Sequence, residues 1–94
     1  MDNILVEIRI PAADAKYDAL IPKLSKGAEV VKIISEIFSS MFEGKYKSMS
    51  DSVLCVEKTG KELDINKTIY EQNIIDGDVL ILIWKDDKNG KCIN

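Results

Sequence analysis

A chain of 94 residues, 46% hydrophobic and 31% charged, has enough apolar material for one modest globular core and too little length for a second domain. Its formal net charge of −3, with acidic and basic residues interspersed, offers no basic face to a phosphate backbone and argues against nucleic-acid binding. There is no histidine, and only Cys55 and Cys92 carry thiols, without Cys-x-x-Cys spacing. That composition excludes a four-ligand zinc or iron–sulfur site and the usual neutral-pH general base, so neither a metal, a cofactor nor catalysis is expected.

Met1-Asp2 leads directly into strand residues, without the basic and small-residue segments of a secretory signal. No apolar run approaches the ~20 residues that cross a bilayer. Cys92 stands third from the end, where a prenylation box needs it fourth. The expectation is a cytoplasmic, unlipidated chain that does not insert into a membrane, its two cysteines reduced.

From Ile4 to Ile10 the residues alternate, with Ile4, Val6, Ile8 and Ile10 on one face and Leu5, Glu7 and Arg9 on the other, the period of a half-buried strand. Pro11 ends it, the residues from Ala12 to Lys16 form a turn, and Tyr17 to Ile21 return as the second arm of a hairpin before Pro22. Ser25 is then placed to cap a helix whose apolar stripe is Val30, Ile33, Ile34, Ile37, Phe38 and Met41. Lys32, Ser35, Glu36 and Ser39 fall mostly on its wet side. The helix is expected to reach Phe42, with Gly44 near its C-cap. Gly27 and the β-branched Val30 and Val31 weaken its intrinsic propensity, so tertiary packing must hold it.

Glu43 to Ser52 reads as a polar loop entering a strand from Val53 to Val56. Lys61 to Asp64 suits a short edge strand, Thr68 to Asn73 a single helical or 3-10 turn, and Val79 to Trp84 the most apolar strand of the chain. Residues 1–84 therefore read as one domain and 85–94 as a loosely held tail.

The stretch from Leu54 to Trp84 resembles the second half of ubiquitin-like β-grasp domains. The residues that carry the resemblance are Gly60, Lys61, Leu63, Thr68, Ile69, Asn73, Ile74, Leu80 and Leu82, aligned without a gap over about thirty residues. The resemblance implies an α+β fold, a mixed four- to five-stranded sheet packed on one helix. It also implies that the last strand is central, between the first and the third.

In that register Leu80 and Leu82 point inward and Val79, Ile81 and Ile83 outward, an apolar stripe framed by Glu7, Arg9 and Glu57. Such a stripe has the look of a protein-binding patch. Its occupant is a protein partner or a second copy of the chain; the alternative is cover by the tail with Trp84 and Ile93. Ubiquitin's own patch has an apolar residue where Glu57 stands, so ordinary ubiquitin receptors are not expected to dock.

Conjugation and sulfur transfer need a C-terminal Gly-Gly, whereas this sequence runs Asn89-Gly90-Lys91-Cys92-Ile93-Asn94. A modifier or carrier would require processing at Gly90, and this remains the competing reading. Among non-conjugating members the chain is most similar to the bacterial YukD-like (EsaB-like) family of type VII secretion accessories, in length, element order and the turn Ile75-Asp76-Gly77-Asp78. That resemblance implies a noncatalytic adaptor whose partner is the cytoplasmic part of a membrane secretion machine.

Three smaller features have structural explanations. Cys55, between Leu54 and Val56, lacks the polar surroundings that activate a nucleophile and is read as a structural thiol. Asp76-Gly77-Asp78 is read as a turn in which Gly77 takes a positive φ, not as a metal or phosphate loop. Asp86-Asp87-Lys88-Asn89-Gly90 is weakly similar to a calcium loop, but its glycine is misplaced and the glutamate ligand has no residue to come from.

Overall fold

The alternating apolar residues at the start of the chain form β1 (Asn3–Ile10), with Ile4, Val6, Ile8 and Ile10 all buried. The computed structural model describes residues 3–41 and 52–84. Pro11 cannot continue the ladder; it opens a 3-10 turn, Pro11–Ala13, closed by Asp14 at φ 51° with its N–H on the Pro11 carbonyl, 3.0 Å away. This tight turn leaves Ala15 and Lys16 free to pair with Ile10 and Arg9. β2 therefore runs Ala15–Pro22, longer than the Tyr17–Ile21 segment expected from sequence.

β3 (Ser52–Val56), β4 (Lys61–Glu62) and β5 (Val79–Trp84) complete a five-stranded sheet in the order β2-β1-β5-β3-β4. β5 lies in the middle, parallel to β1 and antiparallel to β3. One helix, α1 (Gly27–Met41), packs on the face that carries Leu54, Val56, Leu80 and Leu82. The result is the expected α+β arrangement of one mixed sheet and one helix.

The centre of the buried helical face is Val30, Ile34 and Phe38, one turn apart, each 3% exposed or less. Two side-chain assignments are corrected. Ile33 and Ile37, expected within the stripe, lie on its flank toward β2 and remain 47% and 46% exposed. Ser35, expected on the wet side, is buried on the opposite flank, where its hydroxyl shares a 2.8 Å hydrogen bond with that of Ser52 in β3. The pairing of two small hydroxyls is what makes a polar contact tolerable there.

Ser25 does not cap the helix, a further correction. Its N–H donates to the Pro22 carbonyl and its carbonyl accepts from Ile69 N–H. The first helical N–H groups are instead satisfied by a distant loop: Gly27 N–H donates to Lys67 O at 2.9 Å and Ala28 N–H to Ile65 O at 3.1 Å. That solves the usual problem of orphan donors at a helix start by tertiary contact.

The loop is itself well fastened. Thr68 and Glu71 form a reciprocal capping box, the Glu71 carboxylate accepting from Thr68 N–H and the Thr68 hydroxyl from Glu71 N–H. Gln72 donates its amide to the carbonyls of Asp64, Lys67 and Thr68. The 3-10 turn Tyr70–Gln72 ends on Asn73 at φ 60°, which turns Ile69 and Ile74 into the core on either side.

The turn before β5 has the role read from its sequence. Gly77 takes φ 91° and donates its N–H to the Leu5 carbonyl, while the Asp76 carboxylate accepts from Leu5 N–H. Asp78 accepts from Ile75 N–H at 2.9 Å and from the Lys58 ammonium at 2.7 Å. Burial opposes the charge on Asp78, but these two donors outweigh it and hold its carboxyl below the ordinary carboxylate value.

A carboxyl depressed in the folded state stabilises the fold above its unfolded pKa, near 4, and that contribution is lost as the pH falls through the folded value. Asp78→Asn should therefore flatten the fall in urea midpoint between pH 5 and 2. At pH 7 it should cost about 1 kcal/mol, a figure already reduced for the half-exposed Lys58 partner. An unchanged acid limb would remove Asp78 from the account.

Candidate functional site

The outer face of the sheet is built around β5. Because side chains alternate along a strand, burial of Leu80 and Leu82 sends Val79, Ile81 and Ile83 outward, where all three are partly exposed. β1 sets Glu7 beside Val79 and Arg9 beside Ile81. On the other flank β3 sets Cys55 beside Ile81 and Val53 beside Ile83, and Glu57 N–H donates to the Val79 carbonyl.

Arg9 ties these strands together across β5. Its Nε donates to the Glu7 carboxylate and its Nη1 to that of Glu57 at 2.9 Å. The guanidinium therefore bridges a carboxylate on β1 and one just past the end of β3, two strands that do not pair with each other. The hydrogen bond from Arg9 is the main reason the Glu7 carboxyl lies below its ordinary value, and the same bond raises the pKa of Arg9. Arg9 and Glu57 are each 42% exposed, so solvent screens the pair and its effect is on geometry more than stability.

All six residues singled out from the sequence, Val79, Ile81, Ile83, Glu7, Arg9 and Glu57, thus occupy one continuous surface. The arrangement can bind by apolar contact along the stripe and can orient a partner through one cation held between two carboxylates. Among the described residues no group of three His, Cys, Asp or Glu side chains is placed to hold a metal ion. No helix among them is long and apolar enough to cross a membrane.

Three features of the surface were not read from sequence. Leu5 pairs directly with Leu20 across the hairpin, and both stand on the outer face at 46% and 66% exposure; the hairpin alternation carried that signal. Along the β2 edge of the sheet, Ile34 and Ile37 of α1 and Tyr17, Asp18, Ala19 and Leu20 of β2 line a shallow groove. The Tyr17 hydroxyl is buried without a hydrogen-bond partner among the described residues, and burial raises its pKa. The third feature is a correction: Cys55 is not a free thiol but disulfide-bonded. The chain's other cysteine is Cys92, which lies outside the described residues, as do the expected helix end at Phe42, Gly44 and the segments 42–51 and 85–94.

The sequence matches no family model and no curated protein. The fold, by contrast, has many counterparts among solved structures. The ubiquitin-like domain of EccD5 from Mycobacterium xenopi superposes with a TM-score of 0.72 at 18% identity, covering 94% of this chain and 100% of that one. A ubiquitin-like domain of an Arabidopsis thaliana protein gives 0.69 at 14% identity, covering 92% and 81%. Ubiquitin from Caldiarchaeum subterraneum gives 0.67 at 14% identity, covering 92% and 98%. Identities this low speak for fold alone. The chain folds as a ubiquitin-like β-grasp domain.

Proposed function

We propose that this protein is a noncatalytic ubiquitin-like adaptor that binds a protein partner through the outer face of its sheet. The observation that carries the proposal is the stripe of Val79, Ile81 and Ile83 on the central strand, crossed by the Arg9 bridge from Glu7 to Glu57. Covering each of these aliphatic side chains contributes about 1.5–3 kcal/mol, so two or three of them anchor a weak, reversible complex. The bridge adds orientation, since a partner must present charge that fits one guanidinium between two carboxylates.

The proposed setting is the cytoplasmic side of a bacterial type VII secretion machine. Its support is the YukD-like turn Ile75-Asp76-Gly77-Asp78, here stitched to β1 through Asp76 and Gly77, together with structural similarity to the EccD5 ubiquitin-like domain. In a reducing cytoplasm a disulfide at Cys55 is a transient or regulatory bond.

The test is an affinity capture from native lysate with its membrane fraction, comparing wild type with the Ile81→Asp, Ile83→Asp double variant after circular dichroism has shown both to be folded. Retention of secretion-machine components by wild type alone is the expected result. Equal retention by both proteins would move the site off this face.

A further inference from the structure

β2 lies along one edge of the sheet for its whole length, Ala15–Pro22, whereas β4 at the other edge has only two residues. The bonds on the far side of β1 identify which β2 groups are unpaired. Glu7 N–H donates to the Asp78 carbonyl and Gly77 N–H to that of Leu5, so the odd residues of β1 turn their backbone groups toward β5 and the even ones toward β2. Ala15, Tyr17, Ala19 and Ile21 oppose those even residues and form the ladder with β1. Among the described residues, the N–H and C=O groups of Lys16, Asp18 and Leu20 therefore point to an edge that no strand occupies, and all three residues are exposed.

Natural sheets protect such an edge with charge, and here the charge has a pattern. On the outer face Lys16 stands opposite Arg9 and Asp18 opposite Glu7, so a basic row lies beside an acidic row. Like charges directly opposite each other destabilise a strand pair. Arg9 is engaged by Glu7 and Glu57, but Lys16 and Asp18 take part in none of the ion pairs among the described residues. The two rows are unfavourable within one hairpin and complementary between two.

We propose that β2 is a homodimer interface: β2 of a second copy pairs with it antiparallel about a two-fold axis at Tyr17, setting Lys16 of each copy opposite Asp18 of the other. The parity fits, because these are residues with free backbone groups, and each such pair exchanges two N–H···O bonds. The basic row of one copy then runs into the acidic row of the other, twice. An axis at Lys16 or Asp18 would oppose like charges, and one at Ala19 would set Lys16 against Pro22, which has no N–H to donate. Along the joint the two Tyr17 residues become neighbours, and the grooves lined by Tyr17, Ile34 and Ile37 meet, apolar against apolar. The Val79, Ile81 and Ile83 stripes of both copies stay open on one face of a continuous sheet. That a partner takes the two stripes together rests on the adaptor reading; the dimer itself does not.

The experiment is sedimentation equilibrium of the full chain as wild type, Lys16→Asp, Asp18→Lys and an equimolar mixture of the two variants, each shown by circular dichroism to be folded. The wild-type mass is expected to rise from one copy toward two over roughly 10 µM to 1 mM, the range of a small edge interface. Each variant alone should associate about ten-fold more weakly, since both contacts become like-charged. The mixture should recover a dimer at least as tight as wild type, because every contact is again a lysine against an aspartate. Amide hydrogen exchange at Lys16 and Asp18 should slow several-fold at the dimeric concentration.

A wild-type chain that stays monomeric to the top of that range would overturn the dimer and leave the edge to a strand of another protein. Undiminished association of either variant alone, a mixture no tighter than its components, or exchange at Lys16 and Asp18 that ignores concentration would each overturn the Tyr17 register. No stripe residue is altered in these proteins, so their failure is distinct from failure of the capture experiment.

Discussion

Replacing Phe38 by Ala should lower the unfolding free energy by about 3–5 kcal/mol, with the denaturant slope unchanged. Phe38 is fully buried and the largest of the fully buried side chains. It lies in one core with Ile34, Leu54 and Leu82. Truncation removes its transfer free energy and leaves a void that a helix held against a sheet cannot fully close. Against a total stability of 5–15 kcal/mol for a domain of this kind, the loss takes a third or more. Ile37→Ala, one residue earlier but 46% exposed, should cost well under half as much. Equal urea midpoints for the two variants would mean that the helix does not present the face described above.

The second large effect is one of sign. In an exposed helix interior, Gly→Ala stabilises by about 1 kcal/mol through propensity alone. At Gly27 it should instead destabilise by about 3 kcal/mol, the upper part of the range for overpacking. A Cβ there would stand 2.3 Å from Asp64 O and 3.0 Å from both Asp64 C and Ile65 Cα. All three are backbone atoms, so no rotamer change relieves the clash. The loop must move, and the carbonyls of Ile65 and Lys67 that satisfy the helix start move with it. For a domain this size the melting temperature should fall by roughly 10 °C or more. A Gly27→Ala protein melting at or above wild type would show that the loop is not seated on the helix.

Gly27 also marks where sequence reasoning stopped. Its cost in helix propensity was visible, and so was the inference that tertiary packing must compensate. The reason for the glycine was not, because it lies in a backbone approach from Asp64, far along the chain. The same divide recurs elsewhere. The β1 and β5 registers were legible because a period-two pattern assigns every residue to a face, and five of the six residues of the proposed site follow from those registers, Glu57 following from that of β3. Ser35 and Ile37 were misplaced because a wide apolar stripe does not reveal which flank the sheet takes up. Ser25 has the chemistry of a cap, but the loop carbonyls reached the helix start and took that role. Cys55 was read from its apolar neighbours along the strand, which carry no information about whether its sulfur is bonded. Leu20 was missed because the hairpin was treated as two strands, not as one paired surface.

The parallel pairing of β1 with β5 has a consequence for the order of events during synthesis. The hairpin of β1 and β2 and the helix are complete many residues before β5 is made, yet Glu7, Ile8 and Arg9 wait for Val79, Leu80 and Ile81 as ladder partners. Until then β1 has one open edge and its apolar face lacks its central neighbour. Closing so long a loop is entropically slow, and it cannot start on a nascent chain until β5 has left the ribosome. The early half is thus an aggregation-prone species held for a defined interval, and a pause in translation before Val79 should lengthen its exposure to chaperones.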